Sequence, residues 1–102
     1  MNGLNNLILE GKITKDVELS ILENGCTVAR TTISYTRSYK NASEEMVKEE
    51  NLFEIKGYGV LAENFAKLGK EGRGIRVVGR LTQEGKKVVI LAEHIEYKLS
   101  KN

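Results

Sequence analysis

Apolar and β-branched residues along this chain gather in short runs, broken by glycines and polar clusters, and these runs read as strands. Leu4 to Ile13 is the first, with Leu7, Ile8 and Leu9 at its centre and Gly11 and Thr14 to Asp16 closing it. Cys26 to about Tyr39 is longer and carries Thr27, Val28, Thr31, Thr32, Ile33, Tyr35 and Thr36, residue types that suit a pleated surface. Lys40 to Glu50 has few apolar residues, four glutamates and no alternation, which predicts a mobile connection. Asn51 to Tyr58 is again strand-like, and its period of two sets Phe53 and Ile55 toward a core and Leu52, Glu54, Lys56 and Tyr58 on the opposite face. Leu61, Phe65 and Leu68 then recur at helical spacing, and Gly69, Gly72 and Gly74 end the pattern. Val60 to Leu68 is therefore predicted as a short amphipathic helix whose apolar stripe plugs one end of a barrel. Ile75 to Gln83 and Lys86 to Glu96 are the last two strands, joined by Glu84-Gly85, a pair suited to a tight hairpin.

The order β-β-β-α-β-β is the connectivity of an OB-fold, an all-β, five-stranded, partly open Greek-key barrel, here with one short helix between its third and fourth strands. One domain is expected over residues 1–99, with 100–102 as a short C-terminal end; there is no internal repeat and no proline. An OB-fold binds oligonucleotides on the face around its second and third strands and in its long loops. Those elements carry Arg37, Tyr39, Lys40, Lys56 and Tyr58. Aromatic rings stack on the exposed bases of a single strand, and Lys and Arg neutralise its phosphates. Spacing alone equally allows Tyr39 and Tyr58 to be ordinary half-buried strand residues with the hydroxyl in water.

Composition adds little to this picture globally and more locally. Sixteen basic against fourteen acidic side chains leave a net charge of +2, so a nucleic-acid site has to come from clustering. Between positions 67 and 87, Lys67, Lys70, Arg73, Arg76, Arg80, Lys86 and Lys87 face only Glu71 and Glu84. Arg76 and Arg80 share a strand face by alternation, and Arg80, Lys86 and Lys87 lie beside the last hairpin as a candidate phosphate track, against the plain alternative of a solvated polar face. Lys12, at the end of the first strand, completes the candidate DNA-contacting set.

Several chemistries are disfavoured. One histidine and one cysteine cannot build a zinc site, and Asp16 is the sole aspartate, so no carboxylate cluster for a divalent cation is evident. A Cys26–His94 nucleophilic pair lacks an orienting third group. No Gly-Lys-Ser/Thr phosphate loop is present, so neither cofactor nor ATP is expected, and the chain does not read as an enzyme. A lone Cys26 in a strand favours a reducing compartment, and no apolar stretch approaches a membrane span, so a soluble, cytoplasmic protein is expected.

Gly11-Lys12-Ile13, Val78-Gly79-Arg80-Leu81 and Ala92-Glu93-His94-Ile95, together with Asn5, the Asp16-Val17-Glu18-Leu19 turn, Asn24-Gly25, Tyr39-Lys40 and Tyr58-Gly59-Val60-Leu61-Ala62-Glu63, resemble the bacterial single-stranded DNA-binding protein family from Met1 to about Leu99. The resemblance implies base stacking at Tyr39 and Tyr58, single-stranded DNA as partner, and a role in replication, recombination or repair. It also implies assembly through the first strands, commonly as a homotetramer of paired dimers rather than a single dimer. Departures are specific. Leu52 stands where the family has tryptophan, the last hairpin is cut short, Glu54 sets a carboxylate on the binding face, and Val60 replaces a common basic residue. These imply modest affinity. Nothing matches the family's acidic C-terminal tip, which recruits replication and repair proteins. A short family member, a trimmed domain and the primosomal PriB-like relatives stay open, with the main family fitting the quoted segments better.

Overall fold

The computed structural model describes residues 3–99, so the C-terminal end expected at 100–102 lies outside the described residues. The chain runs β1 (Leu7–Ile13), β2 (Glu18–Ile21), β3 (Thr27–Lys40), β4 (Met46–Tyr58), α1 (Gly59–Leu68), β5 (Gly74–Glu84) and β6 (Lys87–Tyr97). Neighbours in the sheet follow the order β1-β5-β6-β4-β3-β2, and an added β1–β3 pairing at Lys12↔Ser34 and Ile13↔Ile33 closes the five long strands into a barrel. The OB-fold read from the sequence is thus the fold observed. A parallel contact between β4 and β6, at Ile55↔Ile90 and Lys56↔Leu91, completes the wall.

Alternation places Ile13, Ala29, Ile33, Ile55, Ile75, Val77, Ile90 and Ala92 inside, and α1 adds Ala62 and Phe65 to the same cluster. Ala92 and Ile95 are three apart yet both turn inward, because a β-bulge shifts the register between β5 and β6 at Val78/Gly79. Glycine is required there: a Cβ on Gly79 would collide with the Leu91 carbonyl. Gly85, at φ 60°, opens the two-residue turn between Glu84 and Lys87. Among the described residues no helix is long and apolar enough to cross a membrane.

Three local expectations are corrected. Lys40 to Glu50 is not a mobile connection: β3 and β4 stay paired without a break from Val28↔Tyr58 to Lys40↔Met46, forming a ribbon that projects beyond the barrel. Its tip is tied by Asn41, whose side-chain oxygen accepts from the backbone N–H groups of Ser43 and Glu45 at 2.9 and 3.0 Å. The ribbon is wet on both faces, so it has no need of the apolar alternation by which a half-buried strand is recognised. The Asp16-Val17-Glu18-Leu19 segment is a turn only in its first half: Glu18 and Leu19 open the short edge strand β2, whose four residues are all exposed and pair with Thr27–Arg30. Counting β2, the helix lies between the fourth and fifth strands. Phe53 does share the inner face, opposite Ile33, but sits where the ribbon leaves the barrel and remains 37% exposed.

Candidate nucleic-acid interface

Directly opposed residues of an antiparallel pair share a face. The β3–β4 register therefore sorts the ribbon into two sides. Val28, Arg30, Thr32 and Ser34 lie with Tyr58, Lys56, Glu54 and Leu52 on the outside of the barrel; Tyr35, Arg37 and Tyr39 lie with Asn51, Glu49 and Val47 on the side that continues the core. Tyr58 and Tyr39 are comparably exposed, at 39% and 37%. They do not share a face, and the eleven steps along β3 from Val28, the partner of Tyr58, to Tyr39 span about 37 Å at roughly 3.4 Å per residue.

Each ring has a cation over it. The Arg37 guanidinium lies 4.8 Å from the Tyr39 ring centroid, and Lys56 Nζ lies 5.6 Å from that of Tyr58. The two sites differ in how their cations are held. Arg37 and Lys40 carry no ion pair among the described residues, whereas Lys56 is buried and donates to Glu84.

Glu84 sits at the end of β5, and the hairpin carries it over β4. Arg30 grips it with two nitrogens, Nη1 on Oε1 at 3.0 Å and Nη2 on Oε2 at 2.8 Å, while Nη1 also reaches Glu54 at 3.1 Å. Lys87 Nζ holds the other oxygen of Glu54 at 3.2 Å. Arg30 and Lys56 together keep the Glu84 carboxyl ionised down to about 2, and the same contacts raise both bases. A carboxyl depressed in the fold stabilises it above the unfolded value and loses that contribution as pH falls through the folded one. Denaturant midpoints are therefore expected to fall on acidification between about 4.5 and 2. Glu84→Gln should flatten that decline, and an unchanged profile would mean that the network does not persist in solution.

The remaining candidates scatter around the barrel exterior. Arg76 pairs with Glu10 at 2.7 Å and Glu96 at 3.3 Å, and Arg80 meets Glu93 at 3.5 Å. Arg76 and Lys98 hold the Glu10 carboxyl below its ordinary value. Lys12 lines an open cleft between β1 and the ribbon, together with Ser34, Thr36, Lys48 and Glu50. Lys86 occupies the last turn without an ion pair among the described residues, and Lys87 is its paired neighbour. Sequence reasoning missed Arg30, although alternation along β3 sets it on the same side as Lys56 and Tyr58. Among the described residues no three His, Cys, Asp or Glu side chains cluster as metal ligands would.

The sequence pattern of the single-strand binding protein family matches residues 4–95. The chain is 37% identical over 100 residues to the single-stranded DNA-binding protein of Aquifex aeolicus, covering 90% of this chain and 68% of that protein. It is 33% identical over 108 residues to single-stranded DNA-binding protein A of Bacillus subtilis, covering 97% and 62%. The chain thus spans about two thirds of the length of these relatives. In fold it is similar to the Plasmodium falciparum SSB solved in complex with ssDNA, at TM-score 0.86 and 17% identity over 96% of this chain and 97% of that one. The single-stranded DNA-binding protein of Thermus aquaticus superposes at TM-score 0.84 with 22% identity over 99% of this chain and 53% of that one. A family pattern that begins ahead of β1 and runs into β6, on a barrel of matching topology, makes this chain a member of the single-strand binding protein family.

Proposed function

We propose that this protein binds and protects single-stranded DNA without strong sequence preference, in replication, recombination or repair. The observation that carries the reading is Tyr58, an exposed ring on the barrel exterior beside Lys56 and Arg30, in a chain whose family pattern spans both flanking strands. Bases stack on Tyr58 and on Tyr39, while Arg37, Lys40, Lys12, Lys56, Lys86, Lys87, Arg76 and Arg80 serve the phosphates. Of these, Arg37, Lys40, Lys12 and Lys86 are unencumbered among the described residues, and the other four must exchange a carboxylate for a phosphate. The protein acts as a binding module rather than an enzyme, in the cytoplasm.

A homotetramer built through β1 belongs to the same reading. One edge of β1 pairs with β5 from Leu7 to Lys12, whereas its other edge meets β3 only at Lys12 and Ile13. Among the described residues no strand pairs with the backbone groups from Leu7 to Gly11 on that side, a template for a second copy of the chain.

Titration with oligo-dT of increasing length, followed by tyrosine fluorescence and coupled to molar mass in solution, tests both statements. Quenching is expected, with log affinity falling against log salt by about 0.7 for each phosphate neutralised. A folded protein indifferent to oligo-dT in dilute buffer overturns the binding reading; a monomeric mass overturns the assembly.

A further inference from the structure

Five charges on the outer face that carries Tyr58 form a connected set. Arg30, Lys56 and Lys87 supply three cations, and Glu54 and Glu84 supply two carboxylates that each touch two of them. The face nearest the stacking ring therefore presents a net charge of only +1 from three bases. The contact between Arg30 and Glu84 is end-on and bidentate, through both terminal nitrogens, a planar two-oxygen geometry in which a guanidinium also receives a phosphate. Glu84 reaches this position from another hairpin, 54 residues away in sequence from Arg30.

We propose that Glu84, with Glu54 beside it, acts as a built-in stand-in for DNA phosphate on the outer face, so that single-stranded DNA binds there by displacing the carboxylates from Arg30 and Lys56. The proposal rests on the DNA-binding reading and names the groups that set its affinity. Its consequences for salt follow from charge balance. A phosphate seated on Arg30 or Lys56 releases the cations condensed around it, but the displaced carboxylate draws a cation back from solution. Net ion release is lower than the count of contacting bases implies, so both affinity and salt dependence are damped. The same exchange adds no penalty for an unpaired buried charge, because Glu84 is part-exposed and returns to water when displaced.

Glu84→Gln and Glu54→Gln keep the side-chain size while removing the charge and turning one acceptor oxygen into an amide donor, so that the two-oxygen grip on the bases is lost. Oligo-dT titrations of the wild type and both variants, each at several salt concentrations and each checked for folding by circular dichroism, provide the test. Glu84→Gln is expected to tighten binding by about three- to tenfold at low salt and to steepen the log–log salt slope by about 0.7 to 1.4, the equivalent of one or two further phosphates. Glu54→Gln should act in the same direction and less strongly, since it leaves the bidentate contact in place, and it carries the test should Glu84→Gln fold poorly. Wild-type binding with no tightening and no steepening in the folded variants overturns the stand-in while leaving the DNA-binding reading intact. Variants that bind where the wild type does not would support it in its strongest form, and silence from all three in dilute buffer would sink both proposals.

Discussion

Replacing Tyr39 and Tyr58 together by alanine is expected to weaken binding of a long oligo-dT by about 2 to 4 kcal/mol, the general scale of base–aromatic stacking on OB-folds of single-strand binding proteins. Both rings are more than a third exposed, so the fold should survive their loss. The single variants carry the more specific expectation. Tyr58 sits on the barrel exterior and Tyr39 near the ribbon tip on the opposite face. A short oligonucleotide seated at the barrel should lose affinity in Tyr58→Ala and not in Tyr39→Ala. Only a strand long enough to cover about 37 Å of ribbon and cross its edge should feel both. Titrations of the two variants across oligomer length read this directly. Equal losses at every length would mean that one base segment touches both rings, and no loss in the double variant would move the site away from these strands.

Phe65→Ala should cost about 3 to 5 kcal/mol of folding stability, the scale for truncating a large buried aromatic. Phe65 has no exposed surface, is part of the core cluster formed by strand residues from around the barrel, and lies 6.4 Å from the Tyr97 ring. It is the largest fully buried side chain and the main anchor by which α1 enters the core. A loss of that size is a large part of the roughly 5 to 15 kcal/mol that holds a domain folded, so the denaturant midpoint should fall sharply. Phe65→Leu, which keeps most of the volume, should retain much of the stability. A change below about 1 kcal/mol in the alanine variant would show that the helix does not plug the barrel.

The amino-acid sequence alone determined the barrel: its five long strands, their order, and the helix after the third of them. Each long strand borders a core and must alternate where it does so, and Leu61, Phe65 and Leu68 can share a side only at helical spacing. It also located the tyrosines and most of the basic residues, since side-chain identity needs no coordinates. What only the tertiary structure decided lies where the signal is non-local or where no face is buried. The ribbon beyond Tyr35 and the edge strand β2 are solvated, so pairing and the Asn41 turn define them, and alternation is silent. The opposed faces of Tyr39 and Tyr58 follow from an unbroken register that spacing within either strand cannot reveal. Glu84 reaches Arg30 because β6 lies against β4, turning the β5–β6 hairpin over the outer wall. A carboxylate read as one charge in a basic segment thereby becomes the group that occupies the bases beside Tyr58, because electrostatic partnership depends on distance in space and not on distance along the chain.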